Sequence, residues 1–438
     1  MQTAPHGSWP SPLDARQTLS ATTRRRSPRA DGEDLYWLEA RPEDAGRVTL
    51  VRRRDGVVED VSPADHNVRT RYLEYGGGDY AVADGTVLWV DFGSQQVWLR
   101  SPDQDVRPLT PETGGLVRWS CFRIDHARRA VFCLREDQRD ASLEPVNSLV
   151  RLDLDGDNRD LGVVLVAGKE RRRAERGGDD GTVGPDFVLD PALSPDGTRL
   201  AWLAWDHPHM SWHETTLWLG DLDEHGDLHG ARPVAGGAGE SLEQPLWLDD
   251  MTLLVLSDRT GWSNLCRLDV TRPDGGLQSV TEERLVLGLP RWVPDTSSYA
   301  LLPDGQVVSG RSRDGFRELV VIDPGSGAIR PVGSATTAVG DVTVLPDGRL
   351  AAEAARVDGP PTVVTIDPRT GETAPVVPAE PSGLEEFAAA PEPVSWPTPD
   401  GATAHGFLYR PRNPRVRAPE GDLPPLLVTL HGGPTSAA

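Results

Sequence analysis

The chain has 438 residues with a formal net charge of −22; 37% of it is hydrophobic, and it holds 45 glycines, 39 prolines and 13 tryptophans. A chain of this length can bury a sizeable core, and so many turn formers favour short strands over long helices. The negative charge argues against nucleic acid or an anionic membrane surface as partner, because either would be repelled.

The N-terminus, MQTAPHGSWPSPLDARQ, lacks a basic stretch followed by an apolar run, so no signal peptide is expected. No apolar run approaches a membrane span. From about Gly32 onward the chain repeats. Runs such as Thr86-Val87-Leu88-Trp89-Val90 and Arg199-Leu200-Ala201-Trp202-Leu203-Ala204 suit inner strands that are apolar on both faces. Apolar or alternating runs end again and again in an aspartate that opens a turn, at Asp153, Asp221, Asp269, Asp323 and Asp367. Earlier in several units comes a Pro-Asp-Gly turn, as at Pro195-Asp196-Gly197, Pro303-Asp304-Gly305 and Pro346-Asp347-Gly348. Asp-Gly supplies the positive φ of a tight hairpin without steric cost. A unit of ~45–55 residues with several short strands and two turn signals reads as a propeller blade. Six or seven such units fit before Pro378. The segment from Val163 to Asp186, with Lys169-Glu170-Arg171-Arg172-Arg173 at its centre, reads as an exposed charged excursion.

The three cysteines, Cys121, Cys133 and Cys266, form no CxxC pair and no disulfide framework, which points to a reducing, cytoplasmic compartment. Cys133 sits in an apolar run, where a thiol serves as a small core residue. His207, His209 and His213 cluster, but Pro208 breaks helical ligand spacing and no carboxylate or cysteine completes a metal set, so no metal and no cofactor is expected. The loop from Trp205 to Trp212 is placed at a domain interface or pore mouth instead. Trp202, Trp205, Trp212, Trp218, Trp247 and Trp262 fall in blade patterns and are expected in the core. Glu74-Tyr75-Gly76-Gly77-Gly78 lacks the Gly-Lys-Ser/Thr ending of a phosphate loop and reads as a blade turn with close backbone packing.

Beyond Pro378 the composition changes. Residues 379–393 read as a linker or short helix. Val394-Ser395-Trp396, the turn at Pro399-Asp400-Gly401 and Ala404 to Tyr409 suggest a hairpin. Then Pro424-Pro425-Leu426-Leu427-Val428-Thr429-Leu430 is an apolar strand of the kind a buried parallel sheet uses, running into His431-Gly432-Gly433-Pro434.

That strand and turn, LLVTLHGGPTS, resemble the oxyanion-loop segment of α/β-hydrolases in the form seen in the prolyl oligopeptidase family. Further segments are similar to the family's acylaminoacyl-peptidase and dipeptidyl-aminopeptidase-like branch: GSWPSP (7–12), RTRYLEYGGG (69–78), LSPDGTRLAWLAWDHPHMSW (193–212) and SDRTGWSNL (257–265). The resemblance implies an all-β, seven-bladed β-propeller followed by the first strands of an incomplete α/β-hydrolase domain. The expected boundaries are an N-terminal arm (1–30), the propeller (31–380), the linker (381–393) and the hydrolase fragment (394–438). It also implies a serine peptidase acting on short peptides or acyl-peptides through an acyl-enzyme, with the propeller restricting access. A nucleophile elbow needs Gly-x-Ser-x-Gly, and the sequence has none, so this stretch is expected to lack the catalytic Ser, Asp and His and to be inactive alone.

Gly432 and Gly433 are the candidate oxyanion loop, since backbone N–H groups on a glycine turn can approach a developing oxyanion closely. Glu74 and Glu240 are candidates for a substrate's free amino end, and Arg259 for a peptide carbonyl or carboxylate; a solvated or blade-bridging charge is the competing reading for each. The expected partner is a short peptide, not nucleic acid or membrane, and a homo-oligomer is left open. The alternative reading is a non-catalytic propeller used as a binding or scaffold module.

Overall fold

The computed structural model describes residues 1–14, 23–102, 104–172, 184–272, 275–284, 286–289, 292–334, 336–356, 359–378, 384–430 and 432–433. Among them, seven four-stranded antiparallel sheets follow one another along the chain, at 24–60, 80–108, 117–166, 187–236, 242–279, 299–331 and 338–375; we number them blades 1 to 7. Within each blade, neighbouring strands are consecutive in sequence, so each is a meander.

Local chemistry explains the meander. In blades 3, 5, 6 and 7 the aspartate at the end of the third strand turns its carboxylate back onto the backbone two or three residues on. Asp323 Oδ1 accepts from the N–H groups of Gly325 (2.8 Å) and Ser326 (3.0 Å), and Asp367 Oδ1 from Arg369 (2.8 Å). In the Pro-Asp-Gly turns, which join first and second strands, Asp196 accepts from Thr198, Asp304 from Gln306 and Asp347 from Arg349, at 2.9–3.0 Å. Such turns fix the chain reversal.

Two faces result. The turns between first and second strands, and between third and fourth, lie at one end of every blade, the turn face. The loops between second and third strands share the other end with the blade-to-blade connections; we call this the connection face.

The core lies between blades. Second strands such as Thr86–Val90 and Arg199–Trp205 are buried almost throughout, and each fully buried Trp or Leu contributes ~1.5–3 kcal/mol. Trp202 opposes Trp218 across two strands with rings 6.2 Å apart and nearly parallel. Most fourth strands are short and exposed, as at Val57–Asp60; that of blade 4, Leu228–Gly236, runs nine residues. Among the described residues no strand bridges blade 1 and blade 7. The first strand of blade 1 contacts blade 7, and Leu35 and Trp37 of its second strand and Val51 of its third cluster with Leu345, Ala351, Val363 and Val376. Ring closure is therefore by side-chain packing.

Several expectations change. The apolar runs expected as inner strands are second strands; the first strands that line the axis carry charged residues, among them Arg26, Arg29, Arg123 and Asp190. Blade 1 begins at Arg24, inside the expected arm. The expected excursion supplies the fourth strand of blade 3, Val163–Val166. Two of its charges are paired: Arg171 Nη2 donates to Asp186 at 2.9 Å, and Lys169 meets Asp206 at 2.8 Å. Arg173 lies outside the described residues. Trp262 is 40% exposed on a loop rather than in the core.

After blade 7 a short 3-10 turn, Glu385–Phe387, precedes the hairpin Glu392–Pro397/Thr403–Leu408, whose register matches the expected turn at Gly401. Gln2–Thr3 of the arm pairs in parallel with Val416–Arg417, and His6 N–H donates to Asp422 (2.9 Å). The expected strand at 424–430 joins no sheet: Leu426, Leu427, Val428 and Leu430 are 68–88% exposed. A parallel-sheet strand takes its backbone partners and its apolar cover from strands on both sides, and the described residues contain neither.

Candidate functional site on the connection face

Topology places the candidate binding residues together on one face. Glu74 lies in the connection from blade 1 to blade 2, Glu240 in that from blade 4 to blade 5, and Arg259 in the loop after the second strand of blade 5. The 206–215 loop of blade 4, which holds the segment between Trp205 and Trp212, opens on the same face.

The hairpin also sits there. Phe407 stacks obliquely on Phe316, centroids 4.9 Å apart, beside the 314–315 turn of blade 6. Gly315 has φ +85°, and a Cβ on it would meet the Phe407 ring at 2.5 Å. Only glycine allows this approach. The C-terminal segment is thereby seated on the connection face, with the N-terminal arm paired to it.

Glu240 and Arg259 meet directly. Arg259 Nε donates to Glu240 Oε1 (2.9 Å), its Nη1 donates to the Leu277 carbonyl (3.0 Å), and Ser257 Oγ donates to the same Glu240 oxygen. Next to them, burial pushes the Asp258 carboxyl above its usual range, and the Glu240 charge adds to this, while the Ser241 N–H bonded to it acts the other way. Trp262 stands exposed on the same loop. The cluster is acidic, half-buried and aromatic-edged.

Glu74 is elsewhere on the face. Its carboxylate, 73% exposed, accepts from Arg118 Nη1 at 2.7 Å. Arg118 also bonds the buried Glu136 at 3.0 Å. Burial raises the Glu136 pKa despite Arg118. Leu73 and Glu74 both adopt positive φ, +48° and +66°, an arrangement side chains rarely take. No contact among the described residues joins Glu74 to Glu240 or Arg259. Tyr75 and Trp292, both exposed, meet edge to face at 5.0 Å. This pair was missed from sequence because its members lie far apart in different connections.

Gly432 and Gly433 are exposed, and Gly433 has φ +70°. Gly433 thus has the backbone conformation of a glycine turn, while His431 and Pro434 lie outside the described residues. All three cysteines are buried and unbridged, and burial raises their thiols. No group of three or more metal-ligating side chains occurs among the described residues.

No family profile and no curated protein matches the chain. Solved structures do. A crystal structure of puromycin hydrolase matches the whole chain at 32% identity and a TM-score of 0.87, the match covering 66% of that protein. A puromycin-hydrolyzing peptidase of Mycobacterium tuberculosis is 28% identical with a TM-score of 0.84, over 97% of this chain and 64% of its own. The chain is similar to puromycin hydrolase along its whole length, and the segments that resemble the prolyl oligopeptidase family lie within that match. It spans a little less than two thirds of those two proteins. Prolyl oligopeptidase B from Galerina marginata, 11% identical with a TM-score of 0.62 over 90% of the chain, shares the fold. Residues 24–375 form the seven-bladed propeller of this family.

Proposed function

We propose that this chain is the substrate-gating propeller of a serine peptidase that cleaves short peptides, acyl-peptides or peptide-like amides such as puromycin. The observation that carries the reading is the match of the whole chain, hairpin included, to puromycin hydrolase at 32% identity. The connection face seats the hydrolase domain, and residues 394–438 are that domain's first strands. Their exposed leucines fit a sheet whose other strands lie outside this chain.

In the complete enzyme a serine attacks the scissile carbonyl after a histidine takes its proton, and water releases the acyl-enzyme. The backbone N–H of Gly433, with Gly432 beside it, donates to the oxyanion. Glu240 and Asp258 attract the substrate's ammonium, Arg259 holds Glu240 in place, and Glu74 lends a further negative charge at the rim. The acylaminoacyl-peptidase-like branch, and a cytoplasmic setting, follow from the sequence segments quoted above and from three unpaired thiols.

The test joins residues 1–438 to the catalytic domain of a puromycin hydrolase. A fluorophosphonate probe labels the joined protein at one serine, which hydrolyses aminoacyl amides, and leaves residues 1–438 alone unlabelled. Stoichiometric labelling of the chain alone, or a folded but inactive joined protein, contradicts the reading.

A further inference from the structure

We propose that the propeller axis is a closed hub latched by Asp295, so that no peptide passes along it and substrates reach the connection face from the side. The consequence for substrates rests on the reading above; the closed hub does not.

Residues 292–298, in the connection from blade 5 to blade 6, run into the axis and touch the rest of the ring. Asp295 accepts from Arg29 of blade 1, through Oδ2 at 3.0 Å and its carbonyl at 2.9 Å. It accepts from Arg123 of blade 3 at 2.7 Å, and its own N–H donates to Asp190 of blade 4 at 3.0 Å. Ser297 N–H donates to Asp341 of blade 7 (2.8 Å), and Ser298 N–H to Gln244 of blade 5 (2.7 Å). On the side of blade 2, Gly77 and Gly78 lie against the same segment: a Cβ on Gly77 would meet the Pro294 carbonyl at 2.6 Å, and one on Gly78 the Asp295 Cβ at 3.2 Å. One residue thus links blades 1, 3 and 4, its carboxylate reaching blades 1 and 3 and its N–H blade 4, and its neighbours reach the others.

The inner strands are shaped for this. Five of them shift register by a bulge at one level, and in four the bulge places a non-glycine residue at positive φ: Ser27, Cys121, Asp190 and Gln244. A bulge re-aims the side chains around it, and here Arg29, Arg123 and Asp190 meet at the axis. Burial alone would push the Asp295 carboxyl up; Arg123 and Arg29 outweigh it and hold it below the usual range. A pocket of about 30 Å³ lies beside Asp295, room for a water or two and far too small for a peptide. Because the ring has no shared strand, the latch also supplies a cross-ring tie that side-chain packing between blades 1 and 7 lacks.

Cys121 reports on the hub without engineering, since it is buried beside Gly78 and Ser120, with its N–H donating to the Gly78 carbonyl. The chain is exposed to N-ethylmaleimide under native conditions and each cysteine is followed by mass spectrometry. Protection of Cys121, Cys133 and Cys266 alike is expected. In Asp295→Ala, Cys121 reacts at least tenfold faster while Cys133 and Cys266 stay protected, and amide exchange at 119–123 accelerates with it, a readout that the thiol's own acidity does not move. Asp295→Asn gives a smaller rise of the same kind and decides the matter if the alanine variant labels all three cysteines. Rapid labelling of Cys121 in the parent chain, or unchanged labelling and exchange in folded Asp295 variants, overturns the proposal. None of these outcomes depends on peptidase activity.

Discussion

Two residues illustrate how much one side chain or its absence decides. Glu353 lies on the second strand of blade 7, near Asp341, Arg26 and Arg24. Burial, together with the Asp341 charge, raises its pKa to about 7, while Arg26 and Arg24 oppose the rise. The folded chain keeps this proton up to about pH 7, whereas the unfolded chain releases it near the ordinary glutamate value of 4.5. Stability is therefore lost as pH rises through that window. Glu353→Gln is expected to be more stable than the parent by ~1–2 kcal/mol at pH 8 and to lose that advantage below pH 4.5, read from urea midpoints across pH. Equal midpoints at pH 8 would count against a buried, protonated Glu353. Gly77 shows the opposite dependence, on having no side chain. With φ +105° and the Pro294 carbonyl in the way, Gly77→Ala should destabilise by ~2–4 kcal/mol. Gly237 has a similar φ, +102°, but open space around it, so Gly237→Ala should cost only ~1 kcal/mol. Thermal melts of the two variants separate the steric part from the backbone part.

At the scale of elements, the sequence carried the turns and the buried strands plainly. Asp323, Asp367 and the Pro-Asp-Gly triplets announce chain reversals through bonds made within three residues, so nothing distant is needed to read them. Fourth strands such as Val57–Asp60 and Gln278–Ser279 are short, exposed and unpatterned, and only their pairing partners define them. The hub was illegible for a related reason: Arg29 and Asp295 are 266 positions apart, and no local pattern links them. A trace existed in the charged residues of the first strands, at levels where an apolar residue would be expected. The candidate pair Glu240 and Arg259 was chosen for chemistry, and its direct contact could not be read from spacing. The 424–430 segment reads as a strand because its composition is that of one, yet it lacks neighbours to pair with. Leu427→Asp should therefore leave the melting temperature within about 1 °C of the parent, since surface changes rarely exceed ~0.5 kcal/mol. It should also reduce self-association seen by analytical ultracentrifugation, because exposed apolar runs promote it. A large fall in melting temperature would mean that Leu427 is already packed within this chain.

For the whole molecule, the two faces of the ring have different tasks. The turn face is built from tight, self-contained reversals. The connection face carries the loops with exposed aromatics, the acidic cluster around Glu240, the seated hairpin and the arm strand paired to the C-terminal segment. In the function proposed above, the closed ring presents that face as one surface on which a catalytic domain rests and beside which a short peptide is held. Hydrogen–deuterium exchange on residues 1–438, alone and joined to a puromycin hydrolase catalytic domain, tests this most directly. New protection is expected at 74–78, 258–263 and 314–315 and along 424–430, with the turn face unchanged. Protection centred instead on the turns at 195–197, 303–305 and 346–348, or none anywhere, would contradict the account.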